Sequence, residues 1–310
     1  MIASSLKWRI NYARQLGWKA RWKLKSVFDF SETVPVTAVS VVVVGRNDNY
    51  GGDFTARLRT TLDWNLSHLP NPELIYVEWN QLKDRKSDCE WIAQRYPNSR
   101  CYIVPNEIHQ SIAADPRKMP VMEYFGKNLG IRKATTDWII LINADVFLAP
   151  DAIEHIRRLN KRTVYGTHYV SIRWDGNAVD ESHLNDKKLI TVAFPVEENL
   201  FPVSGNFLMT HRQNWIEATG YDESLTHIRA GVDSNGVAQL LHSGLRQQVL
   251  GHHFHLDHPE SIVNQSNETH GAAEEIRLGQ NIPYHNPEGW GMINYPLKKL
   301  NDRIWELQKI

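Results

Sequence analysis

An amide and an acid side chain stand directly after an apolar run in the middle of the chain. Trp138 to Ile142 are five consecutive apolar residues, and Asn143 and Asp145 follow them. A run this short is typical of a parallel strand that is covered on both faces. Because ligands bind outside the carboxyl ends of strands in open α/β sheets, we expect Asp145 to meet a ligand. Asn and Asp are also common in turns, so this tripeptide alone favours a turn.

A second group of metal-ligand residues lies near the end of the sequence, where four histidines fall within residues 251–258. A strand is predicted for 247–256. Alternation along it places His253 and His255 on one face, and His258 falls just beyond the strand. These side chains are therefore expected to project together at one strand end.

The same histidines match a zinc signature of another protein class. His253-Phe-His255-Leu-Asp257-His258 resembles the His-x-His-x-Asp-His motif of metallo-β-lactamase-type hydrolases. That motif normally opens a helix early in the chain, whereas here Pro259 follows it and little sequence remains. The context argues against a zinc hydrolase, although the string itself is more specific than Asn-x-Asp.

Composition limits the other classes of function. The 310 residues are 42% hydrophobic and carry 35 basic and 35 acidic side chains. A sizeable core is therefore expected. Because the basic and acidic residues are equal in number, net charge gives no reason to expect nucleic-acid binding. The two cysteines fit a reducing compartment. The sequence has no apolar run of transmembrane length and no signal-peptide core, so a cytoplasmic protein is expected.

The first 28 residues contain seven Lys or Arg and no acid, with an apolar stripe at helical spacing and three tryptophans beside it. Such a helix suits an anionic membrane surface, which would make the protein peripheral on the inner face of the membrane. The alternative is an arm that packs on its own catalytic domain or on a sister subunit of a homo-oligomer. The sequence leaves both open.

The elements that must position these residues follow a repeating strand and helix pattern. Strands are predicted at Ala38 to Val44, Leu74 to Asn80 and Arg100 to Val104, with a helix at 87–96 between the last two. A glycine-rich turn at 45–52 leads from the first strand into a helix starting near 53. This pattern predicts an α/β fold with a mostly parallel central sheet and flanking helices.

Several motifs in this order resemble the GT-A (Rossmann-like) fold of nucleotide-sugar glycosyltransferases, in a family 2-like branch. The matching segments are Gly45-Arg-Asn-Asp-Asn-Tyr-Gly-Gly52, Lys127-Asn-Leu-Gly-Ile-Arg132, Asn143-Ala-Asp145, Gly205-Asn-Phe207, Gly231-Val-Asp233, His255-Leu-Asp-His258 and Gly289-Trp-Gly-Met292. The sequence departs from the family pattern at Asn143 and Asn206, where an acid is expected. The resemblance implies a fold and a reaction, the transfer of a sugar from a nucleotide-diphosphate donor, UDP first, to a carbohydrate or other hydroxyl acceptor.

The resemblance also implies roles for individual residues. The donor would be contacted by Gly45, Arg46, Asn47, Asp48, Glu78, Asn128, Arg132 and Asn143. Asp145, His255 and His258 would hold a divalent cation, Mn2+ or Mg2+, and imidazole beside carboxylate favours Mn2+. Asp233 would be the general base of an inverting transfer, with Asp222 and Glu223 as substitutes.

Three domains or segments are predicted on this basis. Residues 1–34 form the basic helix and a linker, 35–295 the glycosyltransferase domain, and 296–310 a C-terminal helical tail. A noncatalytic sugar-nucleotide-binding module remains a further alternative, because Asn143 and Asn206 replace acids. Metal content separates a zinc hydrolase from a glycosyltransferase, and hydrolysis of a nucleotide sugar separates an enzyme from a binding module.

Overall fold

The computed structural model describes residues 33–179, 188–194, 196, 204–228, 231–259 and 272–310. The strands are β1 (Val34–Pro35), β2 (Val39–Gly45), β3 (Pro72–Gln81), β4 (Ser99–Pro105), β5 (Trp138–Ile142), β6 (Val146–Leu148), β7 (Arg158–Leu159), β8 (Thr163–Ile172), β9 (Ile190–Phe194), β10 (Phe207–His211), β11 (Arg246–Leu256), β12 (Leu297–Lys299) and β13 (Ile304–Leu307). The helices are α1 (Phe54–His68), α2 (Asp88–Arg95), α3 (Asn106–Ile112), α4 (Glu123–Lys133), α5 (Pro150–Ile156), α6 (Arg212–Ala218), α7 (Val232–His242) and α8 (Ala272–Arg277).

One large sheet organises the described residues, in the order β12-β13-β4-β3-β2-β5-β10-β8-β11-β6, with β9 beside β8. The central run from β13 to β5 is parallel throughout. Beyond β5 the pairing becomes antiparallel at β10, and β8 and β11 form a further parallel pair. The α/β fold and the parallel central sheet predicted from the sequence are confirmed.

The parallel strands lack polar and apolar alternation because helices cover both faces of the sheet. All seven residues of β2 are buried. Val42 and Val44 belong to the apolar cluster that includes Leu129 of α4, whereas Val41 and Val43 belong to the cluster on the other face, with α1 and α2. The sheet therefore separates two cores, as expected for strands buried on both faces.

Glycines let helix α4 lie unusually close to the central strand β2. A Cβ at Gly126 would stand 2.8 Å from a methyl group of Val44, and a Cβ at Gly130 would collide with Val42. A real Cβ atom at either position would be too close to its valine neighbour. The close approach fixes the position of Lys127, which lies beside Gly126 and reaches the carboxyl end of the sheet.

One prediction for the second half was wrong. The tail 296–310 was expected to be helical, but it forms the strands β12 and β13. Strand β13 pairs in parallel with β4, so its hydrogen-bond partners lie about two hundred positions earlier in the chain. The local sequence therefore does not predict this strand.

The predicted basic helix of residues 1–28 lies outside the described residues. Within the part of the chain that the structure describes, no helix is long and apolar enough to cross a membrane.

Candidate functional site

The carboxylate and the histidines singled out in the sequence meet at one end of the sheet. Strand β6 pairs antiparallel with β11, which sets Val146 opposite His255. The Asp145 carbonyl accepts a hydrogen bond from the Leu256 N–H at 2.9 Å. The Oδ2 atom of Asp145 lies 3.1 Å from Nε2 of His258 and 3.7 Å from Nε2 of His255. Two segments that are 113 residues apart therefore form one buried triad.

A stripe of polar side chains on α1 holds the backbone beside Asp145. Arg57, Thr61 and Asn65 recur every four residues and are all buried. Thr61 donates to the Ala144 carbonyl at 2.6 Å, and the Asn65 amide donates to the Val146 carbonyl at 2.9 Å. Because these carbonyls flank Asp145, the stripe fixes the strand end from which the carboxylate projects.

The electrostatics of the triad suit a cation. Burial alone would raise the pKa of Asp145, but the charge of His255 and the hydrogen bond to His258 lower it to about 2. Burial lowers the pKa of His255, with the neighbouring Asp145 charge opposing that shift. An ionised carboxylate and a neutral imidazole both present lone pairs to a metal ion.

The zinc signature is not assembled as a single group. In the described residues the atoms close enough to share an ion come from Asp145, His255 and His258, and that group omits His253 and Asp257. His253 is fully buried, and its Nδ1 lies 2.7 Å from the Thr167 hydroxyl. Burial and the charges of neighbouring histidines lower its pKa to about 3. The geometry thus disfavours the zinc hydrolase alternative.

The first loop ends at the same edge of the sheet. Asn47 is buried and donates to the carbonyls of Leu82 and Lys86 at 3.1 and 3.2 Å, which ties the loop after β2 to the loop after β3. Arg46 donates to the Asn80 carbonyl at 3.0 Å. It also forms an ion pair with Asp48 at 3.1 Å. Gly45, the last residue of β2, packs against Tyr76 and Phe54.

The glycine turn after this loop lies on the triad. Gly51 has a φ of +65°, and a Cβ there would collide with the His258 ring. The ring of Tyr50 meets the same imidazole edge-on, with 5.2 Å between centroids. Arg57 donates to the carbonyls of Tyr50 at 2.5 Å and of Gly52. The predicted donor loop and the predicted metal ligands are therefore in contact.

Asn143 contacts the opposite side of the strand end. With the amide oriented to satisfy its neighbours, its nitrogen donates to Glu123 Oε1 and to the Gly205 carbonyl, each at 2.8 Å. Lys127 is 1% exposed, pairs with Glu123 at 2.5 Å and donates to the same Gly205 carbonyl at 3.0 Å. An acid at 143 would face the Glu123 carboxylate and the Gly205 carbonyl as well as the Lys127 ammonium, whereas an amide nitrogen can donate to both oxygens.

Asp233, the predicted base, contacts the turn 204–206, which Asn143 also contacts. Asp233 lies in the first turn of α7, and its Oδ2 accepts a hydrogen bond from the Ser204 hydroxyl at 3.0 Å. A Cβ at Gly205 would stand 2.7 Å from that oxygen. The turn 204–206 is therefore held between Asn143 and Asp233, and it links the two halves of the site.

The two substitute bases make other contacts. Asp222 accepts hydrogen bonds from the backbone N–H and hydroxyl of Ser224. Glu223 accepts from the Asn128 amide and from the Gly291 N–H, each at 2.9 Å. Burial raises the pKa of Glu223, and these two hydrogen bonds oppose that shift. Glu223 thus fastens the C-terminal segment to α4.

Three residues predicted to contact the donor make contacts within the protein, and their donor role stays a prediction. Glu78 is fully buried and accepts from the N–H groups of Asp88 and Cys89 at the start of α2. Asn128 is also fully buried, and its amide bonds the backbone of Tyr221. Arg132 lies over the Trp290 ring, 4.9 Å from its centroid. Position within a motif alone does not reveal these contacts.

Sequence reasoning missed Arg57, Glu123 and Ser204, and it did not select Lys127. A signal existed for Arg57, because polar residues at every fourth position of an otherwise apolar helix face indicate buried polar contacts. Glu123 and Lys127 are an i, i+4 pair, which the sequence does not distinguish from a solvated helix face.

Comparisons with known proteins find likeness at the level of structure. No family model matches the chain, and no curated protein matches it significantly. Among solved structures, the chain is similar to GalNAc-T7 with UDP, GalNAc and Mn2+, with a TM-score of 0.52, 14% identity and 80% of this chain covered. It is also similar to the mannosyltransferase PcManGT from Pyrobaculum calidifontis in complex with GDP-Man and Mn2+, with a TM-score of 0.45, 15% identity, and 81% of this chain and 67% of that chain covered.

The alignment covers 48% of the GalNAc-T7 chain, so the present chain spans about half the length of that structure. At this identity the likeness establishes architecture, and the reaction must be argued from the residues. The fold is that of the GT-A glycosyltransferases.

Proposed function

We propose that this chain is a metal-dependent glycosyltransferase, which moves a sugar from a nucleotide-diphosphate donor to a hydroxyl acceptor. The observation that carries the proposal is the buried triad of Asp145, His255 and His258 at the carboxyl end of the sheet, with the first loop seated on it. Ligands of open α/β sheets bind at this edge.

The donor atoms of the triad fit a divalent metal ion. One carboxylate and two imidazoles have ligand atoms within 4.8 Å of one another, and all three side chains are buried. Mixed oxygen and nitrogen ligands favour Mn2+ over Mg2+, which prefers oxygen alone. When bound, such an ion would supply Lewis-acid stabilisation of the charge that develops on the leaving diphosphate.

The first loop is proposed to receive the nucleotide. Asn47 fixes the loop to its neighbour, and Arg46 and Asp48 form a partly exposed ion pair beside it. UDP is the first nucleotide to test, because the similar GalNAc-T7 structure contains UDP. The donor sugar is to be identified by screening nucleotide sugars for a thermal shift in the presence of Mn2+.

Asp233 is proposed to take the proton of the acceptor hydroxyl in an inverting, single displacement. Its carboxylate accepts a hydrogen bond from Ser204 and lies in the first turn of α7. The 204–206 turn then sets the distance between this base and the strand end at Asn143. Inversion follows from direct attack opposite the leaving diphosphate.

Calorimetry with UDP, with and without Mn2+, tests the metal assignment. We expect Asp145→Asn to abolish the gain in UDP affinity that Mn2+ provides, because the anionic ligand is removed while side-chain volume is kept. The matched control is Asp151→Asn, since Asp151 also pairs with a histidine, His252 at 2.6 Å, but outside the triad. Equal Mn2+ dependence in Asp145→Asn and the wild type would contradict the assignment.

A noncatalytic sugar-nucleotide-binding module is the remaining alternative, and it predicts Mn2+-dependent UDP binding without turnover. Release of UDP from the best-binding nucleotide sugar, measured with excess candidate acceptor, separates the two functions. Membrane attachment through residues 1–28 stays a prediction, because those residues lie outside the described structure.

A further inference from the structure

Strand β8 carries a row of hydroxyl side chains beside the histidines of β11. The two strands pair in parallel, with Tyr169 opposite His253 and Ser171 opposite His255. Because side chains alternate along a strand, Thr167, Tyr169 and Ser171 share one face of β8. All three are buried. The row therefore lies against the histidine face of β11, although none of its members belongs to the triad.

Ser171 contacts one ring nitrogen of His255, and the triad contains the other. The Ser171 Oγ lies 3.4 Å from Nδ1 of His255, whereas Nε2 of the same ring lies 3.7 Å from Oδ2 of Asp145. The ring of Tyr169 is stacked on His255, with 5.7 Å between centroids and 29° between the planes. The imidazole is thus contacted at one nitrogen and on one face, while its other nitrogen lies beside the carboxylate.

A cation bound at Nε2 of His255 would determine which nitrogen of the ring carries the hydrogen. A neutral imidazole has one N–H, and the nitrogen that binds a metal ion must offer a lone pair, so the hydrogen then lies on Nδ1. The hydroxyl oxygen of Ser171 can accept a hydrogen bond from that N–H. Such outer contacts fix the tautomer and the orientation of imidazoles that bind metals.

We propose that Ser171 is a positioning residue for the divalent cation: its hydroxyl accepts the Nδ1–H of His255 and so presents Nε2 to the ion beside Asp145. Tyr169 supports the same ring orientation by stacking. The inference rests on the proposed metal-dependent function and adds to it a residue outside the triad.

A second pair of a hydroxyl and an imidazole on the same strands provides a matched control. The Thr167 Oγ1 lies 2.7 Å from Nδ1 of His253, and both side chains are fully buried. In the described residues, His253 is not part of the group whose atoms could share an ion. Removing the Thr167 hydroxyl therefore perturbs the same two strands without altering a contact of a proposed ligand.

The test measures Mn2+ binding from the electron paramagnetic resonance signal of free Mn2+ at saturating UDP, with the binding of Mn2+ to UDP alone subtracted. In Ser171→Ala we expect the Mn2+ affinity to fall by about 10- to 100-fold, because an outer hydrogen-bond partner of a metal ligand is lost. In Thr167→Val we expect the wild-type affinity. If Ser171→Ala does not fold, as judged by circular dichroism, Ser171→Cys replaces it, since a thiol has a similar shape and accepts weakly.

Competition by two other ions separates positioning of the imidazole from general damage to the site. Sites that contain nitrogen ligands bind Co2+ more tightly than Mn2+, whereas Mg2+ prefers oxygen ligands. Because Ser171 acts through an imidazole, Ser171→Ala should weaken Co2+ binding more than Mg2+ binding, each measured by displacement of Mn2+. Equal losses for the two ions would overturn the inference.

The remaining outcomes separate this inference from the function on which it rests. If the wild type binds Mn2+ and a folded Ser171→Ala protein binds it equally well, the inference is wrong and the metal-dependent function stands. An equal loss of affinity in Thr167→Val would also overturn the inference, because it indicates a general effect of the strand pair. Absence of Mn2+ binding to the wild type would overturn both proposals.

Discussion

Asn143 has an amide where the motif predicts a carboxylate, and its contacts suit the amide. The Asn143 amide donates to Glu123 and to the Gly205 carbonyl, and the buried ammonium of Lys127 donates to the same two acceptors. The amide and the ammonium are thus the two donors, and the Glu123 carboxylate and the Gly205 carbonyl are the two acceptors. A carboxylate at 143 would remove one donor and place a second negative charge within hydrogen-bond distance of Glu123, with Lys127 as the cation between them. The departure from an acidic motif therefore has a local physical cause.

At the residue scale, the sharpest prediction concerns Asp233. Asp233→Asn should retain the hydrogen bond from Ser204 but lose basicity. Transfer should therefore fall by about 100-fold or more, while Mn2+-dependent UDP binding changes little. The measurement is the transfer rate at saturating donor, compared with calorimetric UDP affinity.

Asp222→Asn is the control for this prediction, because the Asp222 carboxylate accepts its hydrogen bonds from Ser224, two residues further along the chain. A larger loss of transfer in Asp222→Asn than in Asp233→Asn would move the base to Asp222. A product with the anomeric configuration of the donor would contradict single displacement.

At the element scale, one buried imidazole joins α3 to β3. Trp79 Nε1 lies 3.0 Å from Nδ1 of His109, and His109 is fully buried. An indole N–H only donates, so Nδ1 must carry a lone pair and the ring must be neutral. Burial lowers the pKa of His109, the Pro116 carbonyl opposes the shift, and the charge of Arg46 adds to it.

This contact predicts how stability depends on pH. The unfolded chain takes up a proton at His109 near pH 6.5, whereas the folded chain resists it until a lower pH. Protons then favour the unfolded state, so the free energy of unfolding should decrease as the pH falls below about 6.5. Each group of this kind contributes at most about 1.4 kcal/mol per pH unit.

His109→Gln keeps an acceptor for Trp79 and does not titrate, so its unfolding free energy should depend less steeply on pH between 7 and 5. Urea denaturation at several pH values measures this. His155→Gln is the control, since His155 is exposed on α5. Identical pH slopes for His109→Gln and the wild type would show that another group controls the dependence.

At the scale of the whole molecule, the C-terminal segment completes the sheet. Leu307 of β13 is fully buried beside β4, and Trp305 stacks on Tyr102 with 5.5 Å between ring centroids. Leu307→Ala should lower the free energy of unfolding by about 2–5 kcal/mol, because it leaves a cavity in this core. The midpoint of urea unfolding measures the loss.

Leu297→Ala tests whether that loss reflects burial. Leu297 lies on the edge strand β12 and is 37% exposed. Its removal should cost less than about 1 kcal/mol. Equal losses for the two variants would mean that the tail stabilises the protein by some means other than the β13 and β4 core.

The sequence by itself determined the order of the central elements and the end of the sheet at which chemistry would occur. The apolar runs at Val39–Gly45 and Trp138–Ile142, each followed by turn residues, specify buried parallel strands through local periodicity. Asp145, His255 and His258 were predicted to meet from motif order, and the structure brings their ligand atoms within 4.8 Å. These features depend on residue type and spacing, which the sequence records directly.

Tertiary structure alone decided where the flanking side chains point. Glu78 and Asn128 occupy the positions that the motifs suggest, yet one caps a helix and the other holds the backbone of Tyr221. The β13 strand and the hydrogen bonds of Arg57 to the turn 50–52 were likewise not foreseen. Each of these features rests on a contact between residues that lie close together only after folding. Local periodicity in the sequence does not predict such contacts. The packing of helices on the sheet fixes them.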